Sequence, residues 1–173
     1  MIHHFSIAVH DPEKVAHVFA EIFDGHVSHF PYGGGTWVAW DKDGEGTAVE
    51  IFPYGIELQP DANDGPAQFR TNESPSALTA THAAISVKCG REKLHEIAAR
   101  EDWKITEHRR GRFGVIELWL ENRLMIEFMT PKMAEEYRNA AASVIEYETR
   151  EKKSSWTEEK TRRGKEQGYN MLD

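Results

Sequence analysis

The chain has 173 residues, of which 39% are hydrophobic and 29% charged, enough for one domain or for two small modules that share a core. Its formal net charge of -8 argues against a nucleic-acid or membrane-surface partner, because basic patches bind phosphate groups. No apolar run approaches the roughly 18 residues that span a bilayer. The N-terminus also lacks the pattern of a signal peptide, so we expect a cytoplasmic protein.

The cysteine and histidine content limits the chemistry. Cys89 is the only cysteine, which excludes an intrachain disulfide and any zinc site with two or more thiolates. We expect it to be a buried thiol without a chemical role. Nine histidines are many for this length, and a neutral imidazole is the commonest metal ligand in proteins. The histidines are therefore the first candidates for a site.

The first half begins with a strand followed by a helix. Residues 4–10 alternate between polar and apolar side chains, which predicts a strand. Asp11 and Pro12 are typical of an N-cap and a first helical position, and apolar residues then recur at helical spacing until Gly25. Strands are predicted next at 36–41 and 47–52, joined by a glycine-rich hairpin turn.

The same order of patterns returns after residue 80. A strand, a helix and three further strands are predicted at 82–87, 91–100, 103–107, 114–120 and 123–129. Residues 109–111 are predicted to form a basic turn within this half. The intervening segment 55–80 is rich in Pro, Asp, Asn, Ser and Gly, and apart from a short stretch at 56–58 it is predicted to be a loop.

The two halves can be superimposed on each other. His4 and His82 are 78 residues apart, as are Val9 and Val87, and Glu50 and Glu127 are 77 apart. Internal repetition of this kind predicts two copies of one βαβββ unit. We therefore predict an α+β fold in which two βαβββ modules form a curved, barrel-like mixed sheet with outer helices, plus a C-terminal helix.

This interpretation divides the chain into four parts. We predict a first module at 1–54, a linker loop at 55–80, a second module at 81–131, and a C-terminal helix with a charged tail at 132–173. The helix is expected over 133–153. The tail beyond it is expected to be loose unless a partner chain holds it.

Strand alternation groups four residues. Alternate side chains of a strand share a face. The most strongly apolar side chains, such as Ile7, lie on the face opposite the His or Glu in each of four strands. The apolar faces are expected to pack on the helices. The concave side would then carry His4, Glu50, His82 and Glu127.

Glu50 and Glu127 each stand in the middle of an apolar strand, in Ala-Val-Glu-Ile-Phe and Leu-Met-Ile-Glu-Phe. Burying an unpaired carboxylate costs several kcal/mol. A salt bridge and a bound metal are both solutions. Two histidines at equivalent positions of the repeat favour the metal.

The segment HFSIAVHDPEKVAHVFAEIFDG resembles the opening of the vicinal oxygen chelate superfamily, which groups glyoxalase I, bleomycin resistance proteins and extradiol dioxygenases. In that superfamily, a histidine at the head of a module's first strand and a glutamate near the end of its last strand bind a metal. The resemblance covers residues 1–131. It implies that His4, Glu50, His82 and Glu127 bind one divalent ion.

The resemblance also implies a chemistry. A site of two imidazoles and two carboxylates suits Zn, Ni, Co, Mn or Fe(II) without selecting among them. Such a metal polarises a carbonyl as a Lewis acid and stabilises an enolate, while Glu50 or Glu127 moves a proton as general base. The set is most similar to that of glyoxalase I and related epimerases. The first strand, however, lacks the arginine that binds glutathione in glyoxalase I, which argues against glutathione as cofactor.

The leading hypothesis is a metal-dependent lyase, isomerase or epimerase acting on a small metabolite with vicinal oxygens. One alternative is an Fe(II) extradiol-type dioxygenase, and another is a non-catalytic protein of the same fold that binds a drug or metabolite. We expect no nucleic-acid or membrane partner, and we predict a homodimer in which the C-terminal helix contributes to pairing.

Other residues have two possible roles. The basic turn is either solvated or, through Arg109 and Arg112, binds an anionic group of the substrate. Trp37, Trp40 and Trp119 either line the cleft or fill the core. We include Arg109, Arg112 and Trp37 among the candidate substrate-binding residues.

Overall fold

A computed structural model describes residues 2–30, 34–62, 65–143 and 145–146. The first module comprises β1 (His4–Val9), α1 (Pro12–Phe23), β2 (His26–His29), β3 (Trp37–Trp40) and β4 (Ala48–Pro53). Its strands form a sheet of order β1-β4-β3-β2, in which β1 is parallel to β4 and the other neighbours are antiparallel.

The second module repeats this arrangement. It comprises β7 (Ala84–Ser86), α2 (Arg91–Glu101), β8 (Ile105–Arg110), β9 (Phe113–Leu120) and β10 (Leu124–Met129), in a sheet of order β7-β10-β9-β8. Between the modules, β5 (Ile56–Gln59) and β6 (Gln68–Thr71) pair as a separate hairpin. A third helix, α3, begins at residue 131 and is described to residue 143, with 145–146 also helical.

The predicted α+β fold of two βαβββ modules is confirmed, with one correction to the linker between them. The two four-stranded sheets do not close into a barrel, since β1 and β7 each lie at an edge. The linker at 55–80, predicted to be a loop, contains the β5–β6 hairpin. The short apolar stretch at 56–58 was its only signal.

Three further differences from the prediction concern strands. The strand β2 (His26–His29) was missed, because HVSH is too short to show a period. The predicted basic turn at 109–111 is shorter, since Arg109 and Arg110 belong to β8 and pair with β9. The predicted strand at 82–87 is reduced to Ala84–Ser86, so His82 precedes it.

Helix α1 begins and ends at the predicted signals. The Asp11 side chain accepts a hydrogen bond from Lys14 N at 3.1 Å, which caps the N-terminus. Asp24 adopts a left-handed conformation at the C-terminus. The next residue, Gly25, lies against the backbone of β3, where a Cβ atom would come within 1.7 Å of Trp40 O. Only glycine fits this approach.

The helices and the inner faces of both sheets enclose one core. Phe19 of α1 is fully buried, and its ring lies 6.5 Å from Phe5 and 6.1 Å from Phe128 of the second module. The modules therefore share apolar packing, not only a linker. Burial of this kind stabilises by about 25 cal/mol per Å² of apolar surface.

Helix α3 packs on the second module. Met133 and Ala134 are buried, and the Tyr137 ring meets Phe113 edge-on at 4.9 Å. The helix was predicted over 133–153. Residue 144 and residues 147–173, which include the charged tail, lie outside the described residues. Within the described ranges, no helix combines the length and apolar character needed to cross a membrane.

Candidate functional site

The open face of the first sheet carries a pair of candidate ligands. Glu50 lies beside Ser6 in the β1–β4 register, and its Oε2 accepts a hydrogen bond from Ser6 Oγ at 2.9 Å. His4 Nε2 lies 3.7 Å from Glu50 Oε1. The His4 side chain is 54% exposed and that of Glu50 19%, so the pair is open to solvent on the histidine side.

The second sheet places its glutamate at the same position. Glu127 lies beside Ala84 in the parallel β7–β10 register. Ala84 follows Ser6 by 78 residues, the interval that also separates His82 from His4. Glu50 and Glu127 are therefore structural counterparts, each beside the same position of its module's first strand.

A second carboxylate, Glu117, lies directly opposite Glu127 on β9. Arg110 bridges the two: it donates from Nη2 to Glu117 Oε1 and from Nε to Glu127 Oε1 at 3.4 Å. Thr106 Oγ1 lies 3.4 Å and His108 Nε2 3.8 Å from Glu117 Oε2. Burying two neighbouring carboxylates costs free energy, and the Arg110 guanidinium offsets this cost because it pairs with both of them.

His82 occupies a different setting from His4. It precedes β7, and its Nδ1 lies 3.0 Å from Ala80 O. The structure brings His4 and Glu50 together, whereas the partner recorded for Glu127 is Arg110. In the described ranges, no three His, Cys, Asp or Glu residues are grouped so that they could hold a metal ion.

The four candidate ligands therefore fit a divalent metal by the chemistry of their donor atoms, but not by their positions. The donor set of two imidazoles and two carboxylates suits such an ion, and His4 with Glu50 forms half of a site. The other half needs His82 to turn from the Ala80 carbonyl and Glu127 to be released by Arg110. The described conformation thus does not assemble the four ligands.

The three candidate substrate-binding residues lie elsewhere. Trp37 faces the helix side of its sheet, with its ring 5.9 Å from that of His17 and 4.0 Å from that of His29. Arg109 Nη1 contacts Glu136 Oε2 at 3.2 Å, which joins β8 to α3. Arg112 is exposed in the β8–β9 turn. Within the described ranges, none of the three side chains contacts His4 or Glu50.

The sequence did not predict that two residues of this region, Glu117 and Arg110, lie beside Glu127. Glu117 stands in Gly-Val-Ile-Glu-Leu-Trp-Leu, an apolar run like those around Glu50 and Glu127, so the same argument could have found it. Arg110 was assigned to a turn, so its position opposite two carboxylates was not foreseen.

Of the other tryptophans, Trp40 donates a hydrogen bond from Nε1 to Ser28 Oγ at 2.9 Å.

A cavity of about 850 Å³ lies between the edge strands β1 and β7 and under the linker. Ser6 and His82 border it, and so do Asp41, Tyr54 and Arg123. Because Ser6 also binds Glu50, the cavity adjoins the His4–Glu50 pair. A space of this size suits a small organic ligand.

The comparisons with known proteins bear on the fold. No protein-family model and no curated protein matches the chain. Among solved structures, the chain is similar to the fosfomycin resistance protein FosX from Listeria monocytogenes in its monoclinic form (TM-score 0.52, 13% identity, covering 81% of this chain and 96% of that one). The same FosX with Mn(II) and sulfate gives a TM-score of 0.50 at 13% identity, with the same coverage.

A trypanothione-dependent glyoxalase I from Leishmania major is also similar, with a TM-score of 0.48, 16% identity and coverage of 86% of this chain and 98% of that one. These identities are low, so the similarity concerns the fold. The chain therefore shares the fold of the FosX structures, built here from two βαβββ modules.

Proposed function

We propose that the protein is a metal-dependent enzyme, a glyoxalase-like lyase, isomerase or epimerase, acting on a small metabolite with vicinal oxygens. The observation that carries the proposal is the equivalence of Glu50 and Glu127, which lie beside matching positions in the two sheets. Two matching carboxylates, each in a module whose first strand begins at or just after a histidine, form the mixed donor set that a divalent ion prefers.

Support also comes from the solved structures of this fold. FosX from Listeria monocytogenes has been crystallised with Mn(II). Zn, Ni, Co, Mn and Fe(II) all remain suitable for the donor set of this chain. The proposed ligands are His4, Glu50, His82 and Glu127.

The proposed roles follow from the contacts of each residue. A metal bound there would supply Lewis-acid polarisation of a substrate oxygen. Ser6 donates to Glu50 Oε2 and so orients this carboxylate, leaving Oε1 toward His4. Glu50 or Glu127 serves as general base for proton transfer. Arg110 neutralises Glu127 and Glu117 while Glu127 is not bound to a metal.

Elemental analysis of untagged protein purified without chelator tests the proposal. We expect about one divalent ion per chain, and its loss in His82→Ala and Glu127→Ala variants. His95→Ala and Glu107→Ala are matched controls, because those two side chains contact each other at 3.0 Å on the surface of the second module. Both controls should retain the metal.

A positive result would direct substrate screening to 2-oxoaldehydes and to 2-hydroxy and 2-oxo acids. Oxygen consumption with catechols would favour the extradiol-type dioxygenase instead. A wild-type protein that cannot be loaded with Zn, Ni, Mn or Fe(II) would overturn the catalytic proposal in favour of a non-catalytic binding protein.

The proposed assembly is a homodimer. Tyr137 and Ile145 of the C-terminal helical region are 41% and 65% exposed, although both are large apolar residues. Such residues are common at interfaces between subunits. Light scattering measures the mass directly, and a strictly monomeric mass would refute this part of the proposal.

A further inference from the structure

We propose that the cavity between β1 and β7 binds a small amphipathic organic acid, whose carboxylate pairs with Arg123 and whose apolar body lies between the two edge strands. The inference concerns side chains other than the proposed metal ligands, except that His82 also borders the cavity. It does not depend on the proposed enzymatic function.

The walls of the cavity suit an apolar body. Phe5 and Ile7 of β1 line one side, and Ile85 of β7 with Ile126 of β10 lines the other. Because β1 and β7 are edge strands, no further strand of their own sheets fills the space between them. Cavities of several hundred Å³ with apolar walls and a few polar groups are typical sites for small ligands.

Arg123 provides the charge. Its Nη2 donates to Ala8 O, and its guanidinium carbon lies 4.5 Å from the centre of the Tyr54 ring. Its Nε is buried and has no hydrogen-bond partner. None of the ion pairs within the described ranges involves Arg123, so no Asp or Glu there compensates its charge. A guanidinium so placed favours a carboxylate.

The other acidic residues that line the cavity are already engaged. Glu57 accepts hydrogen bonds from Asn72 at 2.6 Å and from Arg70 at 3.3 Å. Asp43 accepts one from Glu45 N at 2.8 Å. Neither carboxylate contacts Arg123, so a ligand would not have to displace an existing salt bridge.

The opposite end of the cavity offers a hydrogen-bond acceptor. Asp41 Oδ1 is buried and has no hydrogen-bond partner, and Lys88 Nζ lies 3.9 Å away, too far for one. Burial raises the pKa of Asp41, because the charged form is poorly solvated there. The Asp41 backbone N–H donates a hydrogen bond to Thr47 O at 2.9 Å. Thr47 lies beside the start of β1, because the next residue, Ala48, donates from its N to His3 O.

The separation of the two ends sets the expected length of the ligand. Arg123 reaches Ala8, four residues beyond His4, which in a strand corresponds to about 13 Å. A ligand with a carboxylate at one end and a hydroxyl donor at the other would place these groups beside the Arg123 guanidinium and the Asp41 carboxyl group. Ile2 and Leu78 border the cavity and are 79% and 73% exposed, and an apolar ligand would cover part of them.

Calorimetric titration of the protein as purified, with decanoate, decanol, decylamine and ω-hydroxydecanoate as probes, tests the proposal. We expect decanoate to bind at least about tenfold more tightly than decanol, the effect of one charge-assisted hydrogen bond. We expect decylamine to bind more weakly than decanoate. The terminal hydroxyl should strengthen binding of ω-hydroxydecanoate to the wild type but not to Asp41→Leu.

Two further variants separate binding from folding. Arg123→Gln should reduce the affinity for decanoate to that for decanol, whereas Arg138→Gln, a change at an exposed position of α3 away from the cavity, should leave both unchanged. Ser86→Leu fills the cavity from an exposed position of β7 and should abolish binding of every probe. It serves as the deciding variant if Arg123→Gln does not fold.

Three outcomes would overturn the proposal. These are no binding of decanoate to the wild type, tighter binding of decylamine than of decanoate, or equal decanoate affinity of the wild type and a folded Arg123→Gln variant. Repeating the titration with chelator present distinguishes this site from the proposed metal site. Binding that persists there supports the cavity even if no metal can be loaded.

Discussion

Arg100 and Glu21 form a two-pronged salt bridge between the helices of the two modules. Arg100 Nη1 lies 3.2 Å from Glu21 Oε1, and Nη2 lies 2.8 Å from Oε2. Lys93 Nζ adds a contact to the same carboxylate at 2.5 Å. Together with the contact between Phe19 and Phe128, this pair fixes α1 against the second module.

The first prediction concerns the effect of acid on this pair. Hydrogen bonds from Arg100 and Lys93 lower the pKa of Glu21 from its ordinary value of 4.5 to about 2. The resulting stability is therefore present above pH 4.5 and is lost as the pH falls from 4.5 toward 2. Because the Lys93 and Arg100 side chains are 35% and 46% exposed, water screens the interaction, and we expect Glu21→Gln to cost only about 1 kcal/mol at pH 7.

Urea unfolding at a series of pH values measures this effect. The difference between wild type and Glu21→Gln should shrink below pH 4.5. Glu96→Gln is the matched control, because Glu96 makes only a 3.6 Å contact with Lys93 and is 67% exposed. A constant difference between wild type and Glu21→Gln down to pH 2 would contradict the assignment.

The second prediction concerns the close approach at Gly25. A Cβ atom there would lie 1.7 Å from Trp40 O, a backbone atom that can move only if β3 moves. We expect Gly25→Ala to destabilise the fold by about 3 kcal/mol. Gly44→Ala is the control: Gly44 has φ +80° but open space around it, so about 1 kcal/mol is expected. Thermal unfolding compares the two, and equal losses would show that the approach to Trp40 is not decisive.

The third prediction concerns Arg110. Its removal leaves the mostly buried carboxylates of Glu117 and Glu127 opposite each other without their shared counter-charge. We expect Arg110→Met to reduce the free energy of unfolding by about 2 kcal/mol, since Arg110 is itself 47% exposed and water replaces part of the interaction.

A second substitution checks the cause. Arg110→Met combined with Glu117→Gln should recover about half of the loss, because one of the two opposing charges is gone. Arg112→Met at the exposed turn should change stability by less than about 0.5 kcal/mol. If the double variant is less stable than Arg110→Met alone, repulsion between the two carboxylates is not the source of the loss.

Much of the fold follows from local sequence patterns, and the site does so only in part. The two-residue period of strands correctly placed Ile7 inside and Glu50 on the open face, because each strand has one buried face. The repeat interval placed Glu50 and Glu127 at matching positions. These features depend on local spacing, which the sequence contains directly.

The remaining features depend on contacts between distant segments. No local pattern shows that Arg110 lies beside Glu127, since this depends on the register of β8 and β10 against β9. The side-chain direction of His82 likewise depends on where β7 begins. Trp37 was a candidate for substrate binding because of its residue type alone. Its ring instead contacts His17 of α1 and His29 of β2.

The last prediction concerns Cys89, which was expected to be a buried thiol and is partly buried against the core. Burial raises the pKa of this thiol above its ordinary value of 9.0, so little thiolate is present at pH 8. A disulfide reagent such as dithionitrobenzoate should therefore react more slowly with the folded protein than with glutathione. Unfolding in urea should remove the difference, and Cys89→Ser should give no signal. Equal rates for folded and unfolded protein would mean that the thiol is not shielded, because the rate depends on the thiolate fraction and on access to the sulfur.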